Sequence, residues 1–377
     1  MNPKFRLSRQ GKRIRFYCVA LAFLILIGFL IFRKRDKGGS NIVKNTPLAT
    51  AAVTPVTYIE PTHKPLIQSV ARTDVNPDES GKIMVVMFHS FVEQFTPTAS
   101  NSGEYVMTFN DLRDLLKTLY DKNYRPISMK DYLDNKINLS QGYTPIVFTF
   151  DDGTSGQFNL IQKDGKLVAN PNSAVGVFEQ FNSEHPDFNL QGTFYVNMNP
   201  SVFKGEGTLE NRLRYLLDRG FEIGNHTYSH VDFNDVTTQA KVEEEIGKNQ
   251  KEIDKIIPGY KMETLSLPSG YTTKDAALHA FIMKGSFDGL EYENKAIMLV
   301  GAEPSEPVGN VAFNPLKVPR VRASGVKKDL YDLNWWLTQG KISNYISDGN
   351  PDAVTVPVDK ESKVNKDAIK GRQLKTY

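Results

Sequence analysis

Cysteine is almost absent from this chain of 377 residues. Its single cysteine, Cys18, sits inside an apolar N-terminal run, so no intrachain disulfide can form, and the rest of the chain has neither a thiol nucleophile nor cysteine ligands for zinc. No G-x-S-x-G string occurs, which removes the usual elbow of a serine hydrolase. Histidine is scarce, with six in all. Basic charge is missing from the body: ten Lys or Arg against one acid fall in residues 1–37, leaving the other 340 residues at −6. A net acidic body lacks the attraction behind non-specific nucleic-acid binding, so the overall charge of +3 does not point to a nucleic-acid partner. At 40% hydrophobic and 24% charged residues, the chain is neither a disordered polyelectrolyte nor a multi-pass membrane protein.

The one long apolar run is FYCVALAFLILIGFLIF, Phe16 to Phe32, uncharged over 17 residues, with six basic residues before it and Arg33, Lys34 and Arg35 after it. That length is at the short end of a membrane-spanning helix. The heavier positive flank lies on the N-terminal side, which keeps residues 1–15 in the cytoplasm and sends the body outside. The run ends in bulky residues and charge, with no small-residue cleavage site, so it reads as an uncleaved signal anchor at 16–32 in the cell membrane. Residues 33–81 are scattered with Pro, Thr, Ser, Gly and Asn without apolar periodicity, and read as a flexible linker. A folded domain is expected over 82–350, and residues 351–377 are expected as a C-terminal tail.

From Ile83 onward short β-rich runs alternate with helical ones. Strands are expected at Ile83–Phe88, Pro145–Phe150, Gly192–Asn197, Phe221–Asn225, Glu263–Pro268, Ala296–Gly301 and Leu316–Arg322. Helices are expected after Thr108 and Ser128, over Val175–Phe181, over LENRLRYLLDR up to Gly220, from about Gln239 to Ile257, over Lys274–Lys284, and around DLNWWL. About seven strands separated by helices argue for a parallel sheet, and the count suits an imperfect (β/α) barrel.

In such a fold the chemistry sits at the C-terminal ends of the strands. There the sequence places His89, the adjacent acids Asp151 and Asp152, and the pair His226 and His230, whose spacing brings both imidazoles to one metal if the segment turns helically. One carboxylate and two imidazoles would leave open positions on a divalent cation, and a second, uncoordinated carboxylate could take a proton from water. That constellation suits hydrolysis of an amide or an ester. His279 reads as a packed helix residue, and Trp335 and Trp336 as anchors of the last helix.

The strings TFDDG (Thr149 to Gly153), GTFYV (Gly192 to Val196) and EIGNHTYSH (Glu222 to His230), in this order and on these strands, resemble the NodB-homology polysaccharide deacetylases, carbohydrate esterase family 4. The resemblance covers about residues 83–350. It implies an irregular (β/α) barrel, with Asp151 as catalytic base, and Asp152, His226 and His230 holding one divalent metal, zinc first, with cobalt or nickel as alternatives. The implied reaction is removal of acetyl groups from an N-acetylated cell-envelope polysaccharide of peptidoglycan or poly-N-acetylglucosamine type. An acetylated glycan and the membrane are then the expected partners of a monomer.

The sequence departs from the family pattern in two places. SLPSG stands where R-x-P-x-G is common, with Ser266 in place of the arginine that pairs with the base. The backbone N–H of Ser269 would still serve an oxyanion, and Arg320 in VPRVR is the candidate replacement cation. The late L-x-x-H string is absent too. VVMFHSF resembles the string that opens the poly-N-acetylglucosamine branch of the family, where an early histidine is the general acid, which assigns that role to His89. A catalytically silent wall-binding protein that keeps the barrel and metal site is the alternative.

Overall fold

The structure is a computed structural model that describes residues 66–198, 202–327 and 329–377. Eight strands form the main sheet: β1 (Met84–Phe88), β2 (Tyr124–Pro126), β3 (Thr144–Asp151), β4 (Thr193–Val196), β5 (Glu222–Asn225), β6 (Thr264–Ser266), β7 (Ala296–Met298) and β8 (Val321–Arg322). Their order is β7-β6-β5-β4-β3-β1-β8, with β2 on β3, and every pairing is parallel.

The circuit is completed by a kinked segment. Val318 exchanges hydrogen bonds with β7 (Leu299 N to Val318 O and Val318 N to Ile297 O, both 2.9 Å), and three residues later Val321 pairs with Val86 of β1. The expected strand over 316–322 is therefore broken, because Pro319 lies between the two pairings and has no N–H to give. Only Val321 and Arg322 remain as a continuous strand, and Val318 pairs with β7 as an isolated bridge.

Seven helices accompany the sheet among the described residues: α1 (Phe109–Asp121), α2 (Met129–Leu133), α3 (Ala174–Glu184), α4 (Leu209–Leu217), α5 (Gln239–Ile256), α6 (His279–Met283) and α7 (Leu333–Thr338). Helix α1 starts where Thr108 and Asp111 form a reciprocal capping box, and it buries Phe109, Leu112, Leu115, Leu116 and Leu119 along one stripe. The helix expected over 274–284 is only the five residues of α6, after a 3₁₀ turn at Ala276–Leu278. The chain then turns at Lys284 into a hairpin, Lys284–Phe287 with Leu290–Glu293. Its turn is Asp288-Gly289, both at positive φ, and a second hairpin, Leu160–Lys163 with Lys166–Ala169, turns on Asp164-Gly165 in the same way. Asp-Gly between short apolar runs is the usual signal for such turns, so both ribbons were legible and went unread.

Residues 66–81, the described part of the expected linker, are tied to the body: Ile67 N donates to Asn189 Oδ1 (2.9 Å), Arg72 N to Gln141 O (2.9 Å), and Glu79 N to Thr355 O (2.9 Å). The expected tail folds back as well, pairing Ala353–Val356 with Gln373–Thr376 over a small core of Val354, Val356, Val364 and Ile369. Among the described residues no helix is long and apolar enough to cross a membrane. The anchor expected at 16–32 lies outside them.

Strand alternation sorts the core. Phe148 and Phe150 of β3 pack outward beneath the helices with Phe88 and Phe194, while Val147 belongs to a second cluster with Val85, Tyr195 and Met298. The two-residue period places Thr149 and Asp151 on the same side as Val147, facing the barrel interior. Polar chemistry at the C-terminal end of β3 thus follows from register.

Candidate active site

Asp151 is the last residue of β3 and is 1% exposed. A carboxylate there would be prohibitively unstable without a partner, and Arg320, itself fully buried, supplies one. Its Nη1 meets Asp151 Oδ1 and its Nη2 meets Oδ2, each at 2.7 Å. The remaining guanidinium donors are used by Leu299 O (2.8 Å), Thr149 Oγ1 (3.1 Å) and Ser266 Oγ (2.8 Å), and Ser266 Oγ also reaches Asp151 Oδ2 at 3.1 Å. Burial alone would raise the carboxyl pKa, but the adjacent Arg320 charge and hydrogen bonds outweigh it and hold Asp151 down at about 2. Ser266 thus bridges the Arg320 guanidinium and the acid.

Next to it, at positive φ, Asp152 turns its side chain away from that pair. Its Oδ1 lies 3.4 Å from Nε2 of His226 and 3.4 Å from Nε2 of His230, and ligand atoms from the three residues lie within 4.8 Å of one another. Buried His226 has its Nδ1 2.8 Å from Ser266 O. A carbonyl can only accept, so Nδ1 carries the proton and Nε2 presents its lone pair to Asp152, the orientation a metal-ligating imidazole needs. Burial works against the charge on Asp152, yet its histidine contacts hold its pKa far below the ordinary carboxylate range, while the contact with Asp152 raises that of His230. One hard oxygen and two imidazole nitrogens fit a divalent cation that keeps open positions.

The His226–His230 spacing does not work through a helix. Thr227 and His230 are both in the left-handed region, so the segment is a turn. That turn is held from α5: Glu245 accepts from Ser229 N (2.8 Å) and Ser229 Oγ (2.7 Å), and Asn249 donates to Asn225 Oδ1 (2.9 Å) and Val196 O (2.8 Å). Asn197 Nδ2 adds bonds to the carbonyls of His226 (2.5 Å) and Thr227 (2.8 Å). Sequence reading passed over Glu245 and Asn249. The signal was their place on the apolar stripe of α5, between Val242, Ile246 and Ile253, where a buried polar residue needs a partner.

His89 follows β1, with Nε2 3.8 Å from Asp151 Oδ2 and Nδ1 buried without a protein partner among the described residues. Burial lowers its pKa, against the pull of Asp151. Ser269 follows β6, exposed and at φ 59°, with no contact to the acids or imidazoles among those described. The two other described histidines are structural: His279 Nε2 meets Thr273 O at 3.1 Å and His185 packs on Tyr120 and Phe181, while His63 lies outside the described residues. Both tryptophans are partly buried, and Trp336 Nε1 donates to Ala302 O (2.9 Å), an anchoring role for α7.

Residues 140–281, from β3 through β6 and onto α6, match the family model for polysaccharide deacetylases. No curated protein matches the chain. Among solved structures, a Streptococcus pyogenes deacetylase, PplD, in complex with acetate is 13% identical with a TM-score of 0.48, covering 65% of this chain and 94% of that one. A polysaccharide deacetylase from Bacillus cereus is 20% identical with a TM-score of 0.49, covering 66% and 67%. IcaB from Ammonifex degensii is 16% identical with a TM-score of 0.43, covering 66% and 94%. Asp151, Asp152, His226 and His230 all stand within residues 140–281, the segment that matches the polysaccharide deacetylase family model.

Proposed function

We propose that the protein hydrolyses the N-acetyl groups of a cell-envelope polysaccharide of peptidoglycan or poly-N-acetylglucosamine type, working outside a membrane in which residues 16–32 anchor it. The observation that carries this reading is the pairing of Arg320 with Asp151 beside the Asp152, His226 and His230 cluster. It supports turnover over the silent wall-binding alternative, because the cation missing from the family's usual position is supplied by Arg320, just ahead of β8.

Asp152, His226 and His230 would hold one divalent ion, zinc by preference, whose Lewis-acid charge acidifies water and supports an oxyanion. Asp151 accepts the proton of the attacking water. Arg320 and Ser266 keep both of its oxygens in place. The N–H of Ser269 would donate to the carbonyl oxygen as it gains charge. His89 delivers the proton to the leaving amine, and the burial that lowers its pKa makes it a strong donor once protonated.

The test is acetate release by the full chain from N-acetylglucosamine oligomers and from peptidoglycan, with and without chelator and added Zn²⁺, Co²⁺ or Ni²⁺. Release that chelator abolishes and zinc restores is expected. Zinc stoichiometry should fall from one to none in the His226→Ala, His230→Ala double variant. Chelator-resistant release, or undiminished zinc in the double variant, would overturn the reading.

A further inference from the structure

Tyr105 lies in the connection between β1 and α1, and the mechanism above gives it no role. Its ring meets the His89 ring edge-on, with centroids 4.7 Å apart and an interplanar angle of 63°. His89 in turn stands 3.8 Å from the catalytic carboxylate. A tyrosine so close to a buried site would ordinarily be covered, yet Tyr105 is 39% exposed.

That exposure belongs to a segment held on both sides. Ser90–Val92 and Val106–Thr108 pair as a short parallel ribbon, and Ser90 N donates to Tyr105 O (3.0 Å). From beyond β8, Ser324 Oγ donates to Gly103 O (2.9 Å) and Gly325 N to Val106 O (3.3 Å). The Arg322 guanidinium lies 5.4 Å from the Tyr105 ring centroid and is fixed by Asp329 (2.8 Å) and Glu104 (3.7 Å). Among the described residues the Tyr105 hydroxyl has no hydrogen-bond partner. A ring with its backbone pinned, one edge on His89, a cation beside it and both surface and hydroxyl left open has lost its conformational freedom before any ligand arrives.

We propose that Tyr105 is a specificity-determining residue that contacts the sugar ring of the substrate, as distinct from its acetyl group. The chemistry fits a pyranose, which offers a C–H face to an aromatic ring and hydroxyls to a phenol. The place fits as well, since a sugar ring must extend beyond the acetamide carbon while that carbon faces Asp151. Tyr105 takes no part in bond making, and its contribution to ground and transition states is equal. Its loss should therefore appear in KM and leave kcat nearly unchanged.

This inference rests on the deacetylase reading, so its test separates binding from turnover. Binding of the N-acetylglucosamine pentamer to full-length, zinc-loaded chain is measured by calorimetry in the Asp151→Asn background, with and without Tyr105→Leu and Tyr105→Phe. Tyr105→Leu should weaken binding roughly tenfold, the scale of one aromatic contact, and Tyr105→Phe by much less. In the otherwise wild-type chain, Tyr105→Leu should raise the pentamer KM to a similar extent and leave hydrolysis of p-nitrophenyl acetate unchanged. Unchanged pentamer affinity would overturn the inference. Equal losses on pentamer and p-nitrophenyl acetate would also overturn it, by showing that the ring serves only to pack His89. A chain that binds the pentamer through Tyr105 yet releases no acetate would sink the deacetylase reading and leave the contact standing.

Discussion

The two rims of the barrel solve the same problem, reversing the chain between strand and helix, with different residues. At the N-terminal rim the left-handed positions ahead of β2, β3, β4, β5 and β6 are Asn123, Gly142, Asn189, Gly220 and Gly259, types that adopt this conformation cheaply. At the C-terminal rim Asp152, Thr227, His230 and Ser269 hold it. For Thr, His and Ser that conformation costs on the order of 1–2 kcal/mol each, a burden kept where something else demands those side chains or that backbone direction. Charge follows the same division. Glu222, at the N-terminal rim, spends its carboxylate on Met129 N (3.0 Å) and Lys130 N (2.9 Å) at the start of α2, a capping role. Asp151, at the other rim, is paired with Arg320 and stands beside the Asp152, His226 and His230 cluster. A cavity of about 470 Å³, lined by Thr193, Gly220, Glu222 and Tyr260 among others, lies at the N-terminal rim.

The largest effect expected from this contrast is on rate. Asp151→Asn should lower turnover by about 10²–10⁴ while zinc stays bound, as loss of a general base does, whereas Glu222→Gln should leave turnover on p-nitrophenyl acetate unchanged. Comparable losses from both would dissolve the distinction. Next comes Arg320→Met, which strands a buried carboxylate and should reduce unfolding free energy by about 3–5 kcal/mol in urea titrations. Arg125→Met, whose partner Asp187 reaches solvent, should cost less.

Below these lies a pH effect on the N-terminal side of β1. Glu79 is 5% exposed, and burial, reinforced by nearby Asp348, raises its pKa from 4.5 to about 7. A group whose folded pKa is raised contributes stability that is complete below pH 4.5 and is lost as pH rises through 7. Unfolding free energy should decline across that window by up to about 1.4 kcal/mol per pH unit, and Glu79→Gln should flatten the decline. The smallest effect is conformational. Ser269→Gly relieves a left-handed serine and should raise stability by up to about 1 kcal/mol, while Gly220→Ala, at φ 88°, should lower it by about 1 kcal/mol or more. Thermal unfolding of the two variants in opposite directions is the check.

Much of this contrast was readable in the sequence, for identifiable reasons. A buried parallel strand is a continuous apolar run, so Met84–Phe88 and Thr144–Asp151 stood out, and Thr108 with Asp111 announced α1 before any coordinates. TFDDG and NHTYSH bring Asp152, His226 and His230 together because each string leaves a strand at the same end of the barrel. What stayed hidden depended on contacts distant in sequence. The pairing of Asp151 with Arg320 spans 169 residues, and a place near a strand end made Arg320 a candidate without showing that its guanidinium grips both carboxylate oxygens. Glu245 looked like one more acid on a polar helix, since only the packing of α5 beneath the β5 exit reveals what it holds. The ordered C-terminal ribbon was missed because two strands of four residues each, separated by charged turns, carry little periodicity.

Pro319 has a consequence for regulation of the site by the fold itself. The residues flanking it fasten the last gap in the circuit, Val318 to β7 and Val321 to β1, and Arg320 sits between these two fasteners. The clasp of the barrel and the counter-ion of Asp151 are thus one piece of chain. A fluctuation that unclasped the ring and drew the guanidinium away with it would leave Asp151 a buried carboxylate that takes up a proton more readily. Amide exchange at Val318 and Val321 should therefore slow together when a ligand steadies Asp151, a mechanical link between closure and competence that an unbroken strand in this position would not provide.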